Sequence, residues 1–141
     1  MQAMAELSPS YITVLHQHLA AESVFDMEGT LATLTEDCLF EDVPTGEVHR
    51  GREGVRVYYR EWWTAFGIVP QDIRSYTVSE NFLIVETRFV GTHRGSYRGA
   101  AATGKPLNLP VAIFISLRDG LMSGERFYYD RATLLAQIGT V

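Results

Sequence analysis

The chain has a single cysteine in 141 residues, Cys38, so no internal disulfide can form. A lone thiol inside an expected strand suits a reducing cytoplasm. Basic residues are also scarce: 12 Lys and Arg stand against 17 Asp and Glu, for a net charge of −5. Nucleic acid is therefore not an expected partner, because phosphate recognition needs a basic patch. Long apolar runs are missing too. None approaches the roughly 20 residues that span a bilayer, and the opening MQAMAELSPS lacks the basic start and apolar centre of a secretory leader. No membrane association is expected, and a cytoplasmic location is. No spaced cluster of Cys, His and carboxylate offers a metal site, and no Gly-x-Ser-x-Gly elbow offers a serine nucleophile. The stretch GAAATGKP, residues 99–106, falls short of a phosphate-binding loop. Pro106 stands where a hydroxyl must hold magnesium, and a strand follows where a helix must start. It reads as a hairpin loop.

What is present describes one domain over residues 1–141. Hydrophobic residues make up 46% and charged ones 21%, which suits a single compact core. A chain of this size buries about two-thirds of its unfolded surface without staples. Pro9 and Ser10 open a helical stripe through Tyr11, Val14, Leu15, His18, Glu22 and Phe25, with Ser8 or Ser10 as cap. A short helix follows Met27, then CLFEDV reads as a strand stopped by Pro44–Thr45–Gly46. GREGVRVYYREWWTAFG is the next helix, burying Val55, Tyr58, Tyr59, Trp62 and Phe66 and ending at Gly67. After it the period drops to two. IRSYTVSE, NFLIVETRFVGTHR, KPLNLPVAIFISLR and LMSGERFYYD are strands, turned at Glu80–Asn81 and Arg118–Asp119–Gly120, and ATLLAQIG closes the chain as a helix. Helices first and antiparallel strands after them indicate α+β, with helices on one face of a curved sheet.

Alternation in the last strand puts Arg126, Tyr128 and Asp130 on one face and Phe127 and Tyr129 on the other. The first set reads as the lining of a polar-edged pocket. The second reads as surface that another layer or subunit covers. Asp130 is an N-cap for the closing helix, a cavity acid, or both. Strand 109–117 is apolar on both faces, with Ile113 on one and Phe114 on the other, so it is covered on both sides. His18 and Glu22 interrupt the first helix's apolar stripe at i, i+4; they pair at a surface edge or point together into a cavity. Asp42, before Pro–Thr–Gly, is a turn residue or a second base. Two carboxylates reaching one cavity would push their pKa values apart. His49 and His93 are loop histidines, with His93 the stronger functional candidate because its alternation matches Thr87 and Phe89.

The stretch GTHRGSYRGAAATGKPLNLPVAIFISLRDGLMSGERFYYDRATLLAQIG resembles SnoaL-like polyketide cyclases of the nuclear transport factor 2-like superfamily. The matching motifs are Gly91–His93, Thr103–Lys105, Asp119–Gly120, Arg126 to Asp130, and Leu134 to Gly139. The resemblance implies a cone-shaped, strongly curved, mostly antiparallel sheet around an apolar pocket closed by N-terminal helices, a cystatin-like α+β barrel. It also implies a homodimer through the outer sheet face. It places the family's acid/base on Asp130, which would deprotonate carbon beside a carbonyl for an aldol-type cyclisation or an isomerisation, with no metal or organic cofactor. Arg126, Tyr128, His93 and His18 would orient a small apolar, polyketide-like molecule, and Trp62, Phe89, Ile113 and Phe114 would line the pocket. A histidine that such cyclases can carry in the penultimate strand falls on Ile113. MEGTLATLTEDCLFEDVPTG is similar to ketosteroid isomerases, whose base falls on Asp42. Arg126 and Asp130 are similar to part of the Asp–Arg–Asp set of limonene-type epoxide hydrolases. A ligand-binding or dimerising module on the same fold is the non-enzymatic alternative.

Overall fold

The computed structural model describes residues 5–140. Residues 1–4, the start of the opening stretch read above as lacking a leader, and Val141 lie outside the described residues. The chain runs α1 (Pro9–Ser23), α2 (Met27–Ala32), β1 (Leu34–Asp42), β2 (Glu47–Arg50), α3 (Gly51–Phe66), β3 (Val69–Ser79), β4 (Phe82–Thr92), β5 (Pro106–Arg118), β6 (Leu121–Tyr128) and α4 (Arg131–Ile138). This is the expected α+β arrangement with one addition. The short strand β2, within the EVHRG segment read as loop, pairs antiparallel with β1.

One six-stranded sheet has the order β2-β1-β6-β5-β4-β3, and its only parallel pairing among the described strands joins β1 to β6. The sheet curves so that one face becomes concave, and the apolar alternation of β5 supplies its floor. Leu109, Val111, Ile113, Ile115 and Leu117 are all buried. Facing them on β4 are Phe89, Thr87, Val85 and Leu83, directly opposite in register.

The helices lie over this concave face because their sequences bury one side. α3 starts at Gly51 and stops at Gly67, which takes the left-handed conformation (φ 57°) that side chains disfavour. Between them its inner side carries Val55, Tyr58, Tyr59, Trp62 and Phe66 into the core. α1 has Pro at its first position, where a missing N–H costs nothing. It buries only Val14 and His18; the rest of its inner side faces open space rather than the sheet. That open space is the candidate site. No helix among the described residues is long and apolar enough to cross a membrane.

Candidate active site

A cavity of about 630 Å³ lies between α1 and the strands β3 to β6. Its walls are mainly apolar, but three polar side chains converge at one end: His18 and Glu22 from α1 and Glu125 from β6. Among the described residues no lysine or arginine lines it.

His18 is 4% exposed and held from both sides of its ring. Nδ1 lies 2.7 Å from the Thr33 hydroxyl, and Nε2 lies 3.1 Å from the Tyr59 hydroxyl. Both hydroxyls already spend their protons elsewhere. Thr33 donates to the Thr30 carbonyl at 2.6 Å, and Tyr59 donates to a Glu22 carboxylate oxygen at 2.8 Å. Each must therefore accept from His18, which makes both ring nitrogens donors and the ring an imidazolium. The electrostatics agree. Burial opposes the charge, but the Glu22 carboxylate and then Glu125 overcome it and raise the imidazole to about 9. Tyr59 keeps its proton, because burial and the Glu22 charge push its phenol far up.

Glu125 is 5% exposed. Its Oε1 is 3.6 Å from His18 Nε2, too long for a hydrogen bond, and among the described residues no donor holds the carboxyl. Burial lifts its pKa to about 8, against the pull of His18. At neutral pH it holds a proton and faces the cavity with no partner to satisfy. An acid poised near ambient pH in an apolar chamber is suited to giving and taking protons.

Of the residues expected at the site, His18, Phe89 and Ile113 do line this cavity. The others are placed elsewhere. Asp130 is exposed at the N-terminus of α4; its carboxylate accepts from the Ala132 amide at 3.0 Å and the Thr133 hydroxyl at 2.8 Å. Those bonds hold its pKa below the usual carboxylate range. It caps a helix in water, one of the two readings its position allowed, and does not reach the cavity as the family resemblance implied. Arg126, Tyr128 and Phe114 sit together on the convex face, with the guanidinium 5.1 Å from the Phe114 ring centre and 5.7 Å from that of Tyr128. The expected face of β6 is thus inverted: Phe127 and Glu125 look inward.

Asp42 does face inward and is 1% exposed, but its oxygens are taken. Tyr58 donates at 2.8 Å, Tyr129 at 3.0 Å and Thr45, in the following turn, at 2.9 Å. His93 lies under Phe66, its Nδ1 accepting from the Thr103 amide at 3.3 Å, so it pins the 93–105 loop rather than reaching the cavity. Trp62 borders a crevice of about 20 Å³ that shares Phe89 and Phe127 with the main cavity. No three metal-binding side chains converge among the described residues.

Glu125 is the residue that sequence reasoning missed. A signal for it exists in Gly124. A Cβ there would meet the Leu39 carbonyl oxygen at 2.8 Å, and an isolated strand glycine marks a bulge or a close backbone approach. Here it marks both. The β5–β6 register slips by one residue between Leu117↔Met122 and Ser116↔Gly124, with Ser123 as the extra residue.

The pattern that defines SnoaL-like polyketide cyclases matches residues 13–138. Among curated proteins there is no match. Solved structures share the fold. A candidate polyketide cyclase from a Silicibacter species superposes with a TM-score of 0.83 at 21% identity, covering 94% of this chain and 98% of that one. Another, from Pseudomonas putida, gives 0.83 at 20% identity, covering 93% and 99%. A protein of ketosteroid isomerase-like fold from Catenulispora acidiphila, solved in complex with trimethylamine, gives 0.76 at 17% identity, covering 91% and 93%.

Proposed function

The chain belongs to the SnoaL-like polyketide cyclase family, and from that premise we propose that residues 1–141 form one cofactor-independent acid–base domain acting on a small, largely apolar carbonyl compound. The observation that carries this reading is the pairing of an unsatisfied, buried Glu125 with a doubly hydrogen-bonded His18 at the polar end of the cavity.

In this reading Glu125 is the base. Its ionised form takes a proton from carbon beside the substrate carbonyl, leaving an enolate. The imidazolium of His18, fixed in place by Thr33, Tyr59 and Glu22, faces the negative charge as it develops. The enolate then attacks a second carbonyl to close a ring or is reprotonated at another carbon. Glu125 returns the proton, so no co-reactant is consumed. Asp42 and Asp130 hold structure. The convex cluster of Phe82, Phe114 and Tyr128 is the surface of a homodimer, and the setting is the cytoplasm.

The test needs no knowledge of the natural substrate. A bicyclic ketone with acidic α-protons, 2-tetralone, is incubated with the protein in heavy water and followed by NMR. Exchange above the buffer rate is expected, and Glu125→Gln should return it to that rate. Wild-type exchange at the buffer rate would leave the fold as a binding module, and equal exchange by the two proteins above that rate would remove Glu125 as the base.

A further inference from the structure

The cavity's charge pattern points to a class of substrate. Its interior presents Glu22 and Glu125, its rim adds Glu6 and His16, and among the described residues no lysine or arginine opposes the carboxyls. The one cation inside, His18, is already matched by Glu22, whose oxygen lies 3.5 Å from Nε2. Glu125, 95% of it hidden from water, shares that same cation at 3.6 Å and has no hydrogen-bond donor of its own among the described residues.

Two aromatic rings line the same cavity. Phe127 follows Glu125 by two residues on β6 and so projects from the same face, and Phe89 lies with its ring centre 6.4 Å from that of Phe127. A carboxyl in a chamber that also presents aromatic rings is the chemistry that holds a substituted ammonium, which takes a counter-charge and cation–π attraction together. It is a poor receptor for a carboxylate or phosphate, because the one buried cation, His18, is already matched by the Glu22 carboxylate and no lysine or arginine among the described residues lines the cavity.

We propose that the substrate carries a basic nitrogen, protonated at neutral pH, which lodges against Glu125 in the cavity that Phe89 and Phe127 also line. This rests on the assignment of Glu125 as the cavity's acid–base group and adds a way of switching it on. In the empty cavity Glu125 is a neutral acid and idle as a base. Entry of an ammonium group favours the carboxylate, and the proton leaves to solvent while the ammonium keeps its own. The titratable groups around Glu125 while this happens are His18 and Glu22 of α1, Tyr59 of α3 and Cys38 of β1. The substrate's charge thus creates the base that its own carbon acid needs. The protein's net charge of −5 also favours the approach of a cation.

Calorimetry at pH 7 with three isosteric probes, 1-adamantylammonium, 1-adamantanol and adamantane-1-carboxylate, in buffers of different ionisation heat, reads both affinity and proton release. The ammonium should bind about tenfold tighter than the alcohol or better and release close to one proton. The carboxylate should bind weakest. Glu125→Gln should abolish the proton release and the ammonium–alcohol gap while still binding the alcohol. Alcohol binding as tight as ammonium, or ammonium binding without proton release, overturns the substrate class. If wild type still exchanges 2-tetralone protons, the acid–base reading survives that result. Failure of every probe to bind, together with no ketone exchange, overturns both.

Discussion

Nε2 of His18 lies 3.6 Å from Oε1 of Glu125, across the polar end of an otherwise apolar cavity. The two residues come from elements far apart in the chain, α1 and β6, and their protonation states depend on each other. The ring is kept cationic by hydroxyls that can only accept from it and by the Glu22 carboxylate. The acid is kept neutral by burial, which a cation at 3.6 Å offsets only in part. When Glu125 does ionise, its charge appears beside a fixed imidazolium rather than in bare hydrocarbon. That keeps the step within reach near pH 8.

The pH profile should show both groups. The base form of Glu125 is required, so kcat/KM rises with pH toward about 8. The imidazolium is required as well, so it falls above about 9. The result is a narrow bell whose two limbs belong to the coupled pair rather than to either residue alone. Stability runs differently. Both folded-state values are raised above the ordinary 4.5 and 6.5, so both contributions are fully present below those values. They are lost as pH climbs through about 8 and about 9. Tm should therefore decline from pH 5 to pH 9, with a slope of at most about 1.4 kcal/mol per pH unit for each group. Glu125→Gln, measured by thermal melts across that range, should flatten the decline between pH 5 and 8. A wild-type Tm that rises over the same interval would contradict the assignment.

Asp130 and Glu125 separate the two readings of β6. Asp130→Ala should lower Tm by about 4 °C through loss of an N-cap and leave ketone exchange at the wild-type rate. Melting and exchange measured on the same preparation check this. A large loss of exchange with unchanged Tm would return Asp130 to the chemistry.

Most of the fold was legible because period and punctuation agreed. Gly67 ends α3, Asp119–Gly120 turns β5 into β6, and the two-sided apolar run of β5 marks a central strand. The site was half legible. His18 and Glu22 stood out as polar residues on an apolar helical stripe. Glu125 did not, because face assignment in β6 depends on register. A two-residue turn carried without interruption pairs Ile113 with Arg126. The extra residue at Ser123 shifts that partner to Phe127, and with period two a one-residue slip exchanges every inside for an outside. The strand also carries aromatic residues on both faces, so hydrophobicity alone could not reveal the slip. β2 escaped notice because it has only four residues before Gly51 begins a helix.

The same slip gives the convex face its aromatic content. Tyr128 is 38% exposed there, its ring centre 5.2 Å from that of Phe114, which in turn lies 6.2 Å from Phe82. If this cluster is the homodimer surface, Tyr128→Asp should move the protein from a dimer to a monomer mass in light scattering without changing its far-ultraviolet circular dichroism. Wild type that is monomeric at tens of micromolar, or a variant that stays dimeric, removes the cluster from that role.

Glu22→Gln tests whether the Glu22 carboxylate is what holds the His18 ring as an imidazolium. Burial alone lowers a histidine's proton affinity. What raises His18 to about 9 is first the Glu22 charge and its hydrogen bond, with Glu125 adding less. Glutamine keeps the size and can still accept from the Tyr59 hydroxyl, so packing between α1 and α3 is preserved. The charge is gone, however, and the desolvation of His18 is then opposed only by the weaker contribution of Glu125. The His18 pKa, followed through its ring Cε1 proton by NMR, should fall well below its wild-type value. The alkaline limb of the kcat/KM bell should move down by the same amount. The acid limb feels two opposed changes, loss of the push from Glu22 and loss of the larger pull from a charged His18, so it should move up and narrow the bell further. A purely structural role for Glu22 would lower Tm while leaving the positions of both limbs unchanged, and that outcome would break the link between the helix-borne ion pair and the chemistry at Glu125.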